Sequence, residues 1–247
     1  MTHWKSVLTL CAALCCIIAV LMLPPIAQDL NYHLFADQQA WLGLPNFWNV
    51  ISNLPFVAVG LFGLSRPPLS VDAKLLPAYW VFCAFMVLVG LGSSYYHYAP
   101  STQTLIWDRL PMSGAFMALF ACVIVDAISH RARVLLIPLV LGGLASVVYW
   151  YWTELQGQGD LRPYVLVQFL PLILLPLMLL LFGTRQLRAH LLWLTLAFYL
   201  LAKAAEHYDG EIYTRLGVLS GHTLKHLIAA VAIFCAVVSF PSQRIVR

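Results

Sequence analysis

The chain has 247 residues, of which 62% are hydrophobic and 10% are charged, and its formal net charge is +4. A soluble domain averages roughly 45–50% apolar and about 25% charged residues, so this composition excludes a disordered chain, a nucleic-acid-binding module and most soluble enzymes. It indicates a membrane protein that crosses the bilayer several times.

Eight apolar segments reach or approach the roughly 20 residues that a helix needs to span a bilayer. Connections that contain Pro, Gly and polar residues separate them, and no segment is left for a soluble domain. The predicted fold class is an all-α polytopic membrane protein, a seven-transmembrane-helix bundle with an additional N-terminal hydrophobic helix. The approximate spans are residues 6–25, 46–64, 76–97, 109–128, 133–152, 163–182, 188–205 and 220–240.

The first segment permits two interpretations. Lys5 and the uncharged run that follows it could form a cleaved signal peptide, but this run is longer than a usual signal core, and Pro25-Ile26-Ala27 is a poor cleavage site. We favour a retained membrane anchor. The predicted domains are therefore residues 1–27, an anchor or signal-like segment, and residues 28–247, a seven-helix domain.

The basic residues predict the orientation of the helices. Nine of the 14 Lys and Arg residues fall on the side that carries the C-terminus, and five fall on the other side. Because the cytoplasmic side carries the excess of basic residues, we expect a cytoplasmic C-terminus. Most of the acidic residues lie at the opposite, non-cytoplasmic face.

Histidines cluster at this same non-cytoplasmic face. Ionisable groups at membrane depth are costly, so each of them marks a candidate functional site. Three of the eight histidines lie beside the basic cytoplasmic loops, where they are typical interfacial residues. The other five are His33, His97, His207, His222 and His226.

The spacing of three histidines is typical of a metal site. His222 and His226 are four residues apart, so a helix places both imidazoles on one face. Such a pair can bind one zinc ion, or it can simply bind water and headgroups at the interface. His97 ends the third segment at the same depth, and a set of three histidines plus water is the arrangement of catalytic zinc.

Two further residues accompany His97. Ser93 lies one helical turn before it, and Asp108 follows it across a short loop, at the predicted start of the fourth segment. A carboxylate there could reach a zinc-bound water, or it could stabilise the helix terminus and pair with Arg109. Residues 206–209 contain further polar side chains, which either orient a ligating imidazole or belong to an ordinary loop. They are Glu206, His207 and Asp209.

Taken together, these residues resemble the alkaline ceramidase (alkaline phytoceramidase) family, within the wider group that includes progestin/adiponectin-type receptors. The matching stretches are Asn-Phe-Trp-Asn-Val-Ile-Ser-Asn at 46–53, Ser-Ser-Tyr-Tyr-His at 93–97 with Asp-Arg-Leu-Pro-Met at 108–112, and Ser-Gly-His-Thr-Leu-Lys-His at 220–226. Each stretch alone is weak evidence for the family, but their combination in one seven-helix chain is specific to it.

The resemblance implies an activity and a set of site residues. It implies a zinc-dependent intramembrane amidohydrolase that cleaves the amide bond of ceramide or a related N-acyl lipid to a fatty acid and a long-chain base. His97, His222 and His226 would hold the zinc ion, near the non-cytoplasmic face. Ser93 and Asp108 would be the catalytic pair.

The family also has a calcium site before its first core helix, and here the chain departs from the pattern. The run Trp-x-Glu-x-Asn is absent, and Asn46 stands where a Glu would precede Phe-Trp-Asn. Calcium prefers oxygen ligands, which other side chains of this region could still supply. The candidates are Asp29, Asn31, Asp37 and Asn46.

The sequence is compatible with two other functions. One is a receptor-like seven-helix membrane protein with a structural zinc site, although Ser93 together with Asp108 argues for chemistry. The other is a haem- or copper-binding redox protein. Haem with two imidazole ligands needs them on opposite sides of its ring, which histidines four residues apart on one helix do not readily provide.

Overall fold

The computed structural model describes residues 3–68 and 70–241. Within these ranges the chain forms α-helices and no β-strand, which confirms the predicted all-α class. The helices are α1 His3–Leu21, α2 Phe47–Ile51, α3 Leu54–Ser65, α4 Leu76–Tyr98, α5 Thr102–Ala127, α6 Leu136–Leu155, α7 Arg162–Phe182, α8 Ala189–His207, α9 Asp209–Leu216 and α10 Gly221–Val238.

Seven helical stretches in the described part of the chain are long and apolar enough to cross a membrane, and α1 is one of them. Two of these stretches combine shorter elements: α2 continues into α3, and a 3-10 turn at His130–Leu135 continues into α6. The predicted segment 188–205 forms α8, which is not among these seven stretches, and its C-terminal turns carry Lys203 and Glu206. The chain is an integral multi-pass membrane protein.

Helices α1 and α5 mark the edge and the centre of the bundle. Helix α1 packs against α7 and buries only Thr9, so almost all of its apolar surface is left to face lipid. Helix α5 contacts α4, α6 and α7, and most of its residues are buried. The residues that α5 directs towards α4 and α7 therefore lie in the interior of the bundle.

Helices α4 and α5 approach each other closely at Gly92. A β-carbon at this position would collide with the main-chain carbonyl of Trp107, so only glycine permits the contact. Pro111, one turn further along α5, has no N–H to donate to this same carbonyl. The close crossing brings Ser93 of α4 beside Asp108 of α5, because each directly follows a contacting residue.

The structure corrects the predicted start of the fourth span. Helix α5 begins at Thr102 rather than at residue 109, because the Ser101 side chain accepts a hydrogen bond from the Thr104 N–H, and the Thr104 side chain accepts one from the Ser101 N–H. This reciprocal pair is a capping box, which satisfies donors at a helix terminus. Asp108 consequently lies inside the helix, so stabilisation of the helix terminus does not explain it.

A second close contact sets the start of α10. A β-carbon at Gly221 would collide with the main-chain carbonyl of Ala205 in α8. The Ser220 side chain caps α10 by accepting a hydrogen bond from the Thr223 N–H at 3.2 Å. Asp209, the first residue of α9, accepts one from the His222 N–H at 2.6 Å. These contacts fix the first turn of α10 against α8 and α9.

Candidate active site

Three histidines meet where the end of α4 approaches the start of α10. The side chains of His97, His222 and His226 are all buried. One potential ligand atom from each lies within 4.8 Å of the other two, and the ring centroids are 4.8 Å apart in each pair. The structure thus brings together the three imidazoles that the sequence singled out, and a cluster of this kind can bind a metal ion.

The nitrogen atoms are spaced as metal ligands would be. The Nε2 atoms of His97 and His222 lie 3.3 Å apart. Two nitrogen ligands at 2.0–2.1 Å from a tetrahedral zinc ion are separated by roughly 3.3–3.4 Å. The three nitrogen donors therefore suit zinc in their chemistry, and the His97–His222 pair has the spacing of two zinc ligands.

A serine that sequence reasoning missed contacts the third histidine. The Ser52 Oγ lies 2.8 Å from Nδ1 of His226 and 3.3 Å from the main-chain carbonyl of Asn49. If the hydroxyl donates to this carbonyl, it accepts a hydrogen bond from Nδ1–H of His226, which leaves Nε2 of the ring free to bind a metal. The available sequence signal was a polar Ser-Asn pair at 52–53 inside an apolar segment.

A partly buried ion-pair cluster lies beside His222. Lys225 Nζ is 3.1 Å from Nε2 of His222 and 2.9 Å from Oε1 of Glu206. Lys203 also pairs with Glu206, so two ammonium groups share one carboxylate. In the sequence, Lys225 counts only as one of the five basic residues on the side opposite the C-terminus, although its spacing of three residues from His222 places it near the same helix face.

The three polar residues at the end of α8 and the start of α9 have separate positions. Glu206 contacts the cluster through Lys225, as described above. Asp209 contacts the main chain of His222 rather than its imidazole, and its second carboxylate oxygen accepts a hydrogen bond from the Ala36 N–H at 2.9 Å. His207 is exposed and packs on Tyr208.

His33 lies outside the histidine cluster. Its Nδ1 is 2.9 Å from the Tyr96 hydroxyl, and its Nε2 is 3.2 Å from Oγ1 of Thr102, so it bridges α4 and α5. Burial lowers the pKa of His33, and the positive charge of Arg109 lowers it further. The ring is therefore mainly neutral at pH 7.

Ser93 and Asp108 line a cavity of about 410 Å³, together with His226. Both side chains are buried, and the Ser93 hydroxyl lies beside the Asp108 carboxyl. The pairing of Asp108 with Arg109 that the sequence left open is not found: among the described residues, no ion pair within 4.0 Å joins them. Arg109 instead faces aromatic rings.

The cavity extends from these polar groups along the helices. Its walls continue to Phe82 on α4, Leu119 on α5 and Ala236 on α10, each ten or eleven residues from the site residue of the same helix. On an α-helix this spacing corresponds to roughly 15 Å. Because these walls are apolar and ligand cavities typically measure about 300–1,000 Å³, the space suits part of a lipid chain.

The four calcium candidates do not share one described role. Asp29 Oδ1 accepts a hydrogen bond from the Asn31 N–H at 2.9 Å, in a 3-10 turn. Asp37 is buried, and its Oδ2 has no hydrogen-bond partner within the described ranges. Asn46 donates from Nδ2 to the main-chain carbonyl of His97 at 2.9 Å, which supports the histidine cluster. Calcium binding by this region stays a prediction.

Comparison with known proteins identifies a family for this chain. No individual curated protein matches the sequence. The Ceramidase family model matches residues 44–246, which include the three clustered histidines, Ser93 and Asp108. The match covers most of the chain and confirms the resemblance seen in the sequence, and the chain therefore belongs to the alkaline ceramidase family.

Proposed function

We propose that the protein is a zinc-dependent intramembrane amidohydrolase that cleaves the amide bond of ceramide or a related N-acyl lipid into a fatty acid and a long-chain base. One observation carries the proposal: three buried imidazoles converge beside a Ser–Asp pair at the polar end of an apolar cavity. Membership of the ceramidase family supports hydrolysis of an amide. We assign this role to residues 28–247 and an anchoring role to residues 1–27.

The histidines would hold the metal. His97, His222 and His226 supply three nitrogen ligands, and Ser52 orients the third ring. When bound, zinc supplies a Lewis acid and lowers the pKa of water to about 7. A structural zinc site usually has four protein ligands, whereas the His, Cys, Asp and Glu residues of the described chain offer three here. This difference favours catalysis over the receptor-like alternative.

The two other residues would act on the substrate amide. Asp108 is placed to accept a proton and to return it to the leaving amine, which is general acid–base catalysis. Ser93 is placed to donate a hydrogen bond to the carbonyl oxygen as negative charge develops there. Loss of such a donor typically costs about 2.7–4 kcal/mol of transition-state stabilisation.

The position of the site suits a membrane lipid. The apolar walls between α4, α5 and α10 would hold a hydrocarbon chain, while the amide lies near Asp108 at the polar end. The distribution of basic residues supports a cytoplasmic C-terminus and an active site near the non-cytoplasmic face. A lipid could then enter the cavity directly from the bilayer.

A direct assay tests this function. Purified wild-type protein is incubated with a panel of N-acyl lipids, and released fatty acid is measured by mass spectrometry. We expect Asp108→Asn to keep bound metal and to lose about 100- to 10,000-fold in rate. Asp72→Asn, far from the cavity in the connection between α3 and α4, is the matched control and should retain activity. A metal-loaded wild type that releases no fatty acid from any N-acyl lipid would favour the receptor-like function instead.

A further inference from the structure

Arg109 is a buried cation that faces the same cavity as Asp108. Its exposed fraction is 5%, and it lines the cavity wall. Its guanidinium carbon lies 4.3 Å from the ring centroid of Trp150, 4.9 Å from that of Tyr164 and 5.4 Å from that of Tyr32. Three separate segments of the chain thus form an aromatic cage around one positive charge.

This charge has no acidic partner in the described part of the chain. No carboxylate lies within 4.0 Å of the guanidinium there, and the buried Nη1 atom of Arg109 has no hydrogen-bond partner. Arginine keeps its proton in proteins, and buried charges are normally paired. Stacking on aromatic rings stabilises the cation, but it leaves the in-plane N–H donors without acceptors.

The carboxylate of Glu206 is already paired with two other cations of the cavity and does not contact Arg109. Lys203 and Lys225 also line the cavity, and both contact the single carboxylate of Glu206. The cavity lining also carries three acidic residues, Asp29, Asp108 and Glu206, so its formal charge is balanced. Arg109 differs from the two lysines because no carboxylate of the described residues contacts it, and an anionic ligand would supply that contact.

The cage is held in place by its own hydrogen bonds. Oε1 of Glu154 accepts one from Nε1 of Trp150 at 3.1 Å and one from the Gln28 N–H at 2.6 Å. Gln28 lines the cavity too, and its buried Oε1 has no partner within the described residues. Two residues that line one cavity thus carry unpartnered polar atoms, a donor on Arg109 and an acceptor on Gln28.

We propose that Arg109 binds an anionic oxygen group, a carboxylate or a phosphate, on the headgroup of the N-acyl lipid substrate. The planar guanidinium donates two parallel hydrogen bonds to such groups, which makes arginine selective for them. Arg109 lies at the polar end of the cavity beside Asp108, which would return a proton to the leaving amine. The anion that Arg109 binds would therefore belong to the amine side of the scissile amide. This inference rests on the proposed function and narrows its substrate to anionic N-acyl lipids.

A selectivity measurement tests the role of Arg109. Three substrates with the same acyl chain are compared: a neutral ceramide, an N-acyl amino-acid lipid with a free carboxylate, and a phosphorylated ceramide. A hydrogen bond to a charged group raises affinity by about 10- to 100-fold. We therefore expect the wild-type kcat/KM for one of the anionic substrates to exceed the kcat/KM for the neutral substrate by this factor. Arg109→Gln should remove this ratio, and Arg109→Lys should keep part of it.

The design separates binding from damage to the fold. Each ratio compares the kcat/KM values of two substrates for one protein preparation. A smaller folded fraction lowers both values equally and therefore does not change the ratio. Arg131→Gln, which removes an exposed arginine far from the cavity, is the matched control and should keep the wild-type ratio. A wild type that shows no preference for either anionic lipid would overturn the proposal. So would an Arg109→Gln variant that lowers all three rates equally, since that is the effect of a structural residue.

A binding measurement keeps this inference separate from the proposed function. The affinity of the same three lipids for Asp108→Asn is followed by tryptophan fluorescence, with Trp150 in the cage as a reporter. We expect Asp108→Asn to bind an anionic lipid more tightly than the neutral ceramide. The double variant Asp108→Asn/Arg109→Gln should lose this difference. If no lipid is hydrolysed by the wild type, the proposed function fails while this affinity ratio still decides the role of Arg109. Inorganic phosphate that competes as well as the lipids would overturn the assignment to a headgroup.

Discussion

The Nε2 atoms of His97 and His222 lie 3.3 Å apart although the residues are 125 positions apart in the sequence. The two helices that carry them are held by close contacts at positions adjacent to the site: Gly92 on α4 and Gly221 on α10. The positions of the clustered imidazoles and of Ser93 therefore depend on main-chain contacts that leave no room for a β-carbon.

Removal of one imidazole should abolish metal retention. We expect His222→Ala to lose more zinc affinity than the roughly 10- to 100-fold that the loss of a hydrogen-bonded partner of a ligand costs. The measurement is zinc per protein by mass spectrometry after dialysis against a chelator. The control is His207→Ala, which removes an exposed histidine nearby. A His222→Ala protein that keeps the wild-type zinc content would exclude His222 as a ligand.

Loss of the Ser52 hydroxyl should weaken the site without removing a ligand. Ser52→Ala leaves Nδ1 of His226 without its 2.8 Å partner, so we expect a loss of about 10- to 100-fold in zinc affinity or activity. Ser65→Ala is the matched control, because Ser65 is exposed at the end of α3 and its hydroxyl bonds only within its own helix. Equal zinc titrations for Ser52→Ala and wild type would contradict the assigned role.

A methyl group at Gly92 should force α4 and α5 apart. Because its β-carbon would collide with the Trp107 carbonyl, we expect Gly92→Ala to destabilise the protein by about 1–3 kcal/mol and to reduce activity. Thermal unfolding in detergent and the hydrolysis assay measure the two effects. Gly142→Ala is the control: this site in α6 has open space, and alanine there should be neutral or stabilising by up to about 1 kcal/mol. Wild-type behaviour of Gly92→Ala would refute the close crossing.

The N-terminal end of α7 should show an acid-sensitive stability. Arg162 donates from Nε and Nη2 to the two carboxylate oxygens of Asp160 at 2.9 and 2.8 Å, and these hydrogen bonds lower the pKa of Asp160. The carboxylate therefore contributes stability that is complete above the unfolded pKa of about 3.9 and is lost as the pH falls through the lowered folded value.

The Tm of wild type and of Asp160→Asn measures this contribution. We expect the advantage of the wild type to be constant above about pH 5 and to shrink as the pH falls further, because the variant has no carboxyl group to titrate. The same ion pair also holds the end of α1, since Nη1 of Arg162 donates to the main-chain carbonyls of Leu21 and Leu23. A Tm difference that does not vary with pH would show that the pair adds no stability.

Several features of this protein were determined by the sequence alone. Long apolar runs must form helices in a bilayer, since no water is available there to bind free N–H and C=O groups. The spacing of His222 and His226 places both rings on one face of any helix that contains them. The depth of His97 and the family motifs were enough to group it with that pair.

Other features were decided only by the tertiary structure. Ser52 contacts His226 across 174 positions, and the cage around Arg109 unites residues from three segments. Helical periodicity relates residues about one turn apart on the same helix, so it predicts which residues share a face. It does not predict which helices cross or how closely they approach. Those crossings depend on where a missing β-carbon lets two backbones touch, and at Gly92 and Gly221 they set the positions of the neighbouring site residues.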